Sequence, residues 1–171
     1  MPTNLSILVF VASPLDYARY RHTALYFEFD SPETQYANAK NQHTQPEPQE
    51  KDYIKSSMME VIGSPGFMSF FERKNWGVPV SSANLARVVP VSRLPDTIPI
   101  SRLRSTVSET SILDGDGDTD WNSQNWVGDA LSRLVTCGYL DAGARDRGLD
   151  AMVDAVMEAE DEEVSVVAAS H

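Results

Sequence analysis

The chain has a single cysteine, Cys137, among 171 residues. One thiol closes no intramolecular disulfide and forms no cysteine-rich zinc site, so the fold must rest on its hydrophobic core, as suits a reducing, cytoplasmic setting. Positive charge is scarce as well, with 14 Lys and Arg against 25 Asp and Glu and a formal net charge of −11. Such a surface repels nucleic acid phosphates and anionic lipid headgroups. Neither nucleic acid nor membrane is therefore expected as a partner, and basic partners are electrostatically easier. Long apolar runs are missing too. The N-terminal run Ile7-Leu8-Val9-Phe10-Val11-Ala12 has no basic flank before it and falls far short of the roughly 20 residues of a membrane span. It reads as a buried strand, with a short signal-like segment as the competing reading. There is no glycine-rich phosphate loop, dinucleotide fingerprint or Cys/His metal spacing, so neither cofactor nor metal is expected.

What is present suits one globular domain, since domains commonly run to about 100–200 residues. His22-Thr23-Ala24-Leu25-Tyr26-Phe27-Glu28-Phe29 is aromatic-rich and bounded by Asp30-Ser31-Pro32, the pattern of a strand. Alternation puts Thr23, Leu25, Phe27 and Phe29 on one face and His22, Ala24, Tyr26 and Glu28 on the other. Residues 33–55 turn to Asn, Gln, Glu, Lys and Pro, too polar to offset their ordering entropy, and are expected to form a flexible insertion. Met58 to Ile62 and Phe67 to Lys74 flank Gly63-Ser64-Pro65-Gly66 as a hairpin, and Leu85 to Val91 makes a further strand.

The C-terminal half is helical by period. Pro99 suits the first position of a helix to about Thr110, with Leu103 and Val107 on its packed side. Val127, Ala130, Leu131, Leu134 and Val135 form the stripe of a helix from about Asn122 to Cys137, with Gly138 as its cap. Leu149 to about Glu160 is a last amphipathic segment, with Met152, Val153, Val156 and Met157 on one side and an acidic tail expected to fray from about 161. Strands first and helices afterwards make an α+β domain, an antiparallel sheet packed against C-terminal helices.

Trp121-Asn122-Ser123-Gln124-Asn125-Trp126 opens the strongest helix. Ser123 precedes Val127 by four residues, so its hydroxyl shares the core-facing side. A helix head carries unpaired N–H groups and partial positive charge, which favour a thiolate, alkoxide or oxyanion. Asn and Ser are equally at home there as N-caps, and both readings stand. Just upstream, the alternate aspartates of Asp114 to Asp120 resemble the start of an EF-hand. However, the sixth position is Thr119 and the twelfth is Asn125, so the turn glycine and the bidentate ligand are missing. A solvated acidic loop that selects basic substrates is expected instead.

His22 opening an apolar strand, followed about a hundred residues later by Asn-x-Gln-x-Trp at a helix head, resembles the circularly permuted papain-like fold. Lecithin:retinol acyltransferase-like enzymes and the PPPDE class of peptidases have that fold. A closer likeness is to small uncharacterised fungal proteins, carried by His-Thr-Ala-Leu-Tyr-Phe at 22–27, Glu-Val-Ile-Gly at 60–63 and Trp-Asn-Ser-Gln-Asn-Trp-Val at 121–127. The resemblance implies a thiol hydrolase or acyltransferase acting on an amide, thioester or ester, with a peptide or small acyl substrate. His22 is then the general base, and helix-head N–H groups supply the oxyanion hole. The chain departs from the pattern at the nucleophile, where Ser123 stands in place of cysteine. An introduced change, a natural serine nucleophile and a pseudoenzyme each account for it. Since a hydroxyl needs a stronger base than a thiol, an inactive or impaired scaffold is the expectation. Glu60, on a strand expected beside that of His22, is the candidate to orient the imidazole, against a plain solvent-facing role. Asn122, Gln124, Trp121 and Trp126 are the candidate substrate-binding residues, with capping as the alternative for Asn122 and Gln124. The two tryptophans lie five apart and cannot share one helix face, so packing of one while the other borders the cleft is the alternative for that pair. A noncatalytic module holding a peptide or small ligand in the same cleft is the second functional expectation.

Overall fold

In the computed structural model, residues 3–34, 53–64, 66–77, 84–113 and 120–161 are described. Five strands, β1 (Thr3–Phe10), β2 (His22–Thr34), β3 (Tyr53–Ile62), β4 (Ser69–Lys74) and β5 (Leu85–Leu94), form one sheet in the order β4-β3-β2-β1-β5. Every pairing is antiparallel. Three helices follow, α1 (Ile100–Ser108), α2 (Ser123–Thr136) and α3 (Ala142–Met157), and a short 3-10 turn, Ala18–Tyr20, precedes β2. The architecture is α+β, with the helices on one face of the sheet.

Strand alternation creates that face. Leu5, Ile7 and Val9 of β1, Leu25, Phe27 and Phe29 of β2, and Met59 and Val61 of β3 are buried against Leu103, Val107, Trp126, Val127, Leu131, Leu134 and Met152 of the helices. On the reverse face Leu8, Ala24, Tyr26 and Met58 form a smaller cluster with Phe10, Trp76 and Leu85 beside it. Helix α2 lies against β2 and β3, α3 against β5 and β1, and α1 against α2. No helix among the described residues is long and apolar enough to cross a membrane.

Several boundaries differ from those expected. The polar stretch 33–55 is strand at both ends, since β2 continues to Thr34 and β3 begins at Tyr53. Sheet pairing of Glu33 with Ile54 and Thr34 with Tyr53 satisfies the backbone there, a gain that composition does not reveal. Residues 35–52 of the expected insertion, the loop at 114–119 and the tail after 161 lie outside the described residues. Pro99 is the N-cap of α1 and not its first residue. Pro90 falls within β5, an edge strand, where a missing N–H is tolerated.

Helix α3 begins at Ala142, seven residues before the expected Leu149, with the Asp141 carboxylate accepting from the Ala144 N–H at 2.9 Å. Gly143 and Gly148 make this stretch a poor helix by propensity. The packing explains Gly148: a Cβ there would lie 3.1 Å from the Val91 side chain, so glycine lets α3 settle closely on β5. The buried side of α3 is accordingly Ala144, Gly148, Met152, Ala155 and Val156. Val153 and Met157, expected inside, are 52% and 70% exposed.

Candidate functional site

The site forms where the sheet divides. The β2–β3 ladder stops at Leu25 and Met59, although β2 begins at His22 and β3 runs on to Ile62. Residues 22–24 stay with β1 while 60–62 stay with β4, and the two strands splay. The head of α2 sits at this opening. A cleft of about 950 Å³ results, lined among others by His22, Glu60, Arg73, Trp121, Asn122 and Ser123.

Ser123 is the first residue of α2, and only 6% exposed. With β3 diverging, the Thr23 N–H donates to Ser123 Oγ at 3.1 Å, and the Thr23 hydroxyl lies 3.4 Å from the same oxygen. The helix head is held by the residues around it. Asn122 Oδ1 accepts from the Gln124 N–H at 2.8 Å, and the Asn122 N–H donates to Asn125 Oδ1 at 3.0 Å, a reciprocal cap. The Gln124 side-chain amide donates to the carbonyls of Ala18 and Arg21, each at 3.0 Å, fastening the turn before β2 to α2.

His22 is tied to β3. Its Nε2–H donates to Glu60 Oε2 at 2.7 Å, and Glu60 Oε1 accepts from Arg73 Nε at 3.2 Å. The Glu60 side chain is only 4% exposed, so the carboxylate is held at a fixed place between the two donors. A proton on Nε2 leaves Nδ1 as the basic nitrogen of a neutral ring. The Phe10 ring packs 5.8 Å from the imidazole. No hydrogen bond joins His22 to Ser123 among the described residues. Their spacing is nonetheless constrained. Adding the covalent bonds between Thr23 N and His22 Cα to the 3.1 Å contact leaves the hydroxyl within about 6 Å of that Cα.

The structure thus brings together His22 with Glu60, and sets Ser123, Asn122 and Trp121 around the same cleft. Two of the expected substrate-binding side chains are committed elsewhere. Asn122 caps α2, and Gln124 binds backbone carbonyls. Trp126 also needs correcting: it is 0% exposed, with its ring 6.0 Å from Phe70. Three residues beyond Ser123 on a helix, it shares the buried side and offers no surface to the cleft. The Gln124 N–H, a candidate oxyanion donor from the helix head, is occupied by the cap.

Three residues of the site carry no local signal in the sequence. Thr23 reads as one more core-facing strand residue, and Arg73 as the polar end of a hairpin. The third, Arg21, is buried, and its guanidinium binds the Asp16 carboxylate in a two-pronged pair and donates to the Ala155 carbonyl at 2.6 Å. The Arg21 guanidinium holds the Asp16 carboxyl far below the usual carboxylate range, against the opposing effect of burial. No three His, Cys, Asp or Glu side chains converge to hold a metal ion among the described residues.

Fold and cleft together define an α+β domain with a five-stranded antiparallel sheet, three helices on one face, and a cleft of mixed polar and apolar lining where two central strands part. No family model, curated protein or solved structure matches the chain.

Proposed function

We propose that this domain is a thiol-hydrolase or acyl-transfer scaffold of the permuted papain-like kind, with Ser123 in the nucleophile position and activity on an amide, thioester or ester lost or impaired by that residue. The observation that carries this is the His22–Glu60 hydrogen bond at the mouth of the cleft into which the head of α2 presents Ser123. Nε2 is held by a buried carboxylate, leaving Nδ1 to act as base, and the helix head supplies positive potential at residue 123. A thiol here would lose its proton to Nδ1 and attack an acyl carbon, forming a thioester as the bond to the amine, thiol or alcohol breaks and that group leaves with the proton returned from Nδ1. The Thr23 N–H stands beside the nucleophile atom to stabilise its charge. The serine hydroxyl has a pKa too far from neutrality for the same base.

The test is to install Ser123→Cys and measure alkylation by iodoacetamide, with the exposed Cys137 as internal standard. The expected result is faster alkylation at position 123 than at Cys137 near neutral pH, slowed by His22→Ala. A thiol at 123 no more reactive than Cys137, and indifferent to His22→Ala, would sink the catalytic reading.

One observation favours the second reading, a noncatalytic module for a peptide or small ligand. Ser123 Oγ already accepts from Thr23, and the Asn122 and Gln124 side chains bind within the protein, as though the helix head were purely structural. The unreactive outcome above is what that reading predicts.

A further inference from the structure

We infer that the cleft recognises a substrate or ligand bearing a carboxylate, through the terminal amino groups of Arg73. The inference rests on the proposed nucleophile position only for its readout. Arg73 lines the cleft on the far strand, β4, and its side chain is 47% exposed. It is nevertheless pinned twice. Nε donates to Glu60 Oε1 at 3.2 Å, and the guanidinium carbon lies 5.5 Å from the centroid of the Phe71 ring, two residues along the same face. Glu60 is itself buried and bonded to His22, so the anchor does not move with the surface.

This arrangement uses Nε and leaves Nη1 and Nη2 without a hydrogen-bond partner among the described residues. Those two nitrogens form a planar fork that matches the two oxygens of a carboxylate, and charge-assisted bidentate pairs are the strong kind. Holding the guanidinium in place beforehand removes much of the ordering cost of binding. The feature runs against the protein's overall charge of −11, which would otherwise discourage an anionic ligand. It also runs against the sequence-based expectation of basic substrates, which rested on an acidic loop of which Asp120, itself at the cleft, is the described residue. The terminal carboxylate of a peptide and the side chain of Asp or Glu present the same chemistry.

The experiment compares iodoacetate with iodoacetamide on the Ser123→Cys protein, referring each rate to Cys137 in the same molecule. Arg73→Gln is expected to lower the ratio of the iodoacetate rate to the iodoacetamide rate at position 123 about threefold or more, the effect of one unit charge in a shared cleft, beyond any slowing of both reagents through Glu60. Arg73→Lys, which keeps the charge without the fork, should fall between. Equal slowing of both reagents by Arg73→Gln would mean that Arg73 acts only through Glu60, and an unchanged ratio would mean that it does not meet the anion; either overturns the proposal. If iodoacetamide reacts rapidly and in a His22-dependent way while the ratio ignores Arg73, this inference alone fails. If neither reagent reacts faster at 123 than at Cys137, the nucleophile reading falls with it. Protection from iodoacetamide by N-acetyldialanine points to a terminal carboxylate, and protection by N-acetylglutamyl-alaninamide to a side-chain one. Protection by neither overturns the proposal.

Discussion

Ser123 and Thr23 meet across 100 residues of sequence, and this contact sets the behaviour of the nucleophile position. The Thr23 N–H would remain in any variant, whereas its hydroxyl is removable. In the Ser123→Cys protein, Thr23→Val keeps the shape and the backbone donor and deletes one hydrogen bond worth about 1 kcal/mol. A thiolate held by that hydroxyl should then form less readily, raising the thiol pKa by somewhat under one unit and slowing alkylation at neutral pH about fivefold. A pH profile of the alkylation rate reads both, and an unmoved profile would show that the hydroxyl is only packed there. At this scale the sequence points to His22 as the start of a strand and to Glu60 on a neighbour, and the two are hydrogen-bonded. It also points to Trp126 as a cleft residue, which the helical period argues against. Thr23 and Arg73 are illegible because each owes its place to a partner on another element.

Among the elements, α2 is the most fully specified by local chemistry. Asn122 and Asn125 cap its start reciprocally. Its end is a Schellman turn, in which Gly138, at φ 73°, donates to the Val135 carbonyl and the Tyr139 N–H to that of Leu134. Asn122→Ala should cost about 1 kcal/mol in denaturant unfolding. It should also loosen the turn before β2 from the head of α2, because the Asn122 side-chain amide reaches the Arg19 carbonyl at 3.4 Å. No change in the unfolding midpoint would mean that tertiary packing alone fixes the helix head. Helix α3 is less legible: its first two turns contain two glycines, and the gain from seating Gly148 on Val91 is invisible without β5. Strand β3 reads as shorter in the sequence for a related reason, since Tyr53 to Ser57 owe their extended form to β2 alongside.

Across the whole molecule, Arg21 and Asp16 tie the C-terminal end of α3 to the connection between β1 and β2. Arg21 bonds Asp16 and the Ala155 carbonyl, the Asp16 carboxylate accepts from the Ala12 and Glu160 N–H groups, and the Asp16 N–H donates to Asp161 at 2.7 Å. The Arg21 carbonyl in turn receives Gln124, so the same residue braces the cleft. Asp16→Asn strands a buried guanidinium and should cost about 3 kcal/mol or more. A loss below about 1 kcal/mol in chemical unfolding would show that the pair behaves as an ordinary surface ion pair. The pH dependence follows from direction. Asp16 titrates below its unfolded value, so its stabilisation is complete above pH of about 4 and drains away as pH falls towards its folded value. Glu72 behaves likewise. Burial would raise its carboxyl, but the Arg104 and Ser57 hydrogen bonds outweigh that and leave it lowered. Stability should decline below about pH 4, and less steeply in Asp16→Asn; equal acid limbs in the two proteins would contradict the assignment.

By itself the sequence determined which stretches become strand or helix, short of the starts of β3 and α3, which side of β2 and α2 is apolar, and that Ser123 faces inward, because periods of two and 3.6 residues are properties of local backbone geometry. Only the tertiary structure decided the order of the strands, the parting of β2 from β3 that opens the cleft, and the partners of Thr23, Arg73 and Arg21. Those depend on contacts between residues far apart in the sequence, as with Arg21 and Ala155 at a separation of 134, where no local pattern carries the information. The head of α2 is written in the sequence, whereas its meeting with His22 and Glu60 follows from how the sheet is laid.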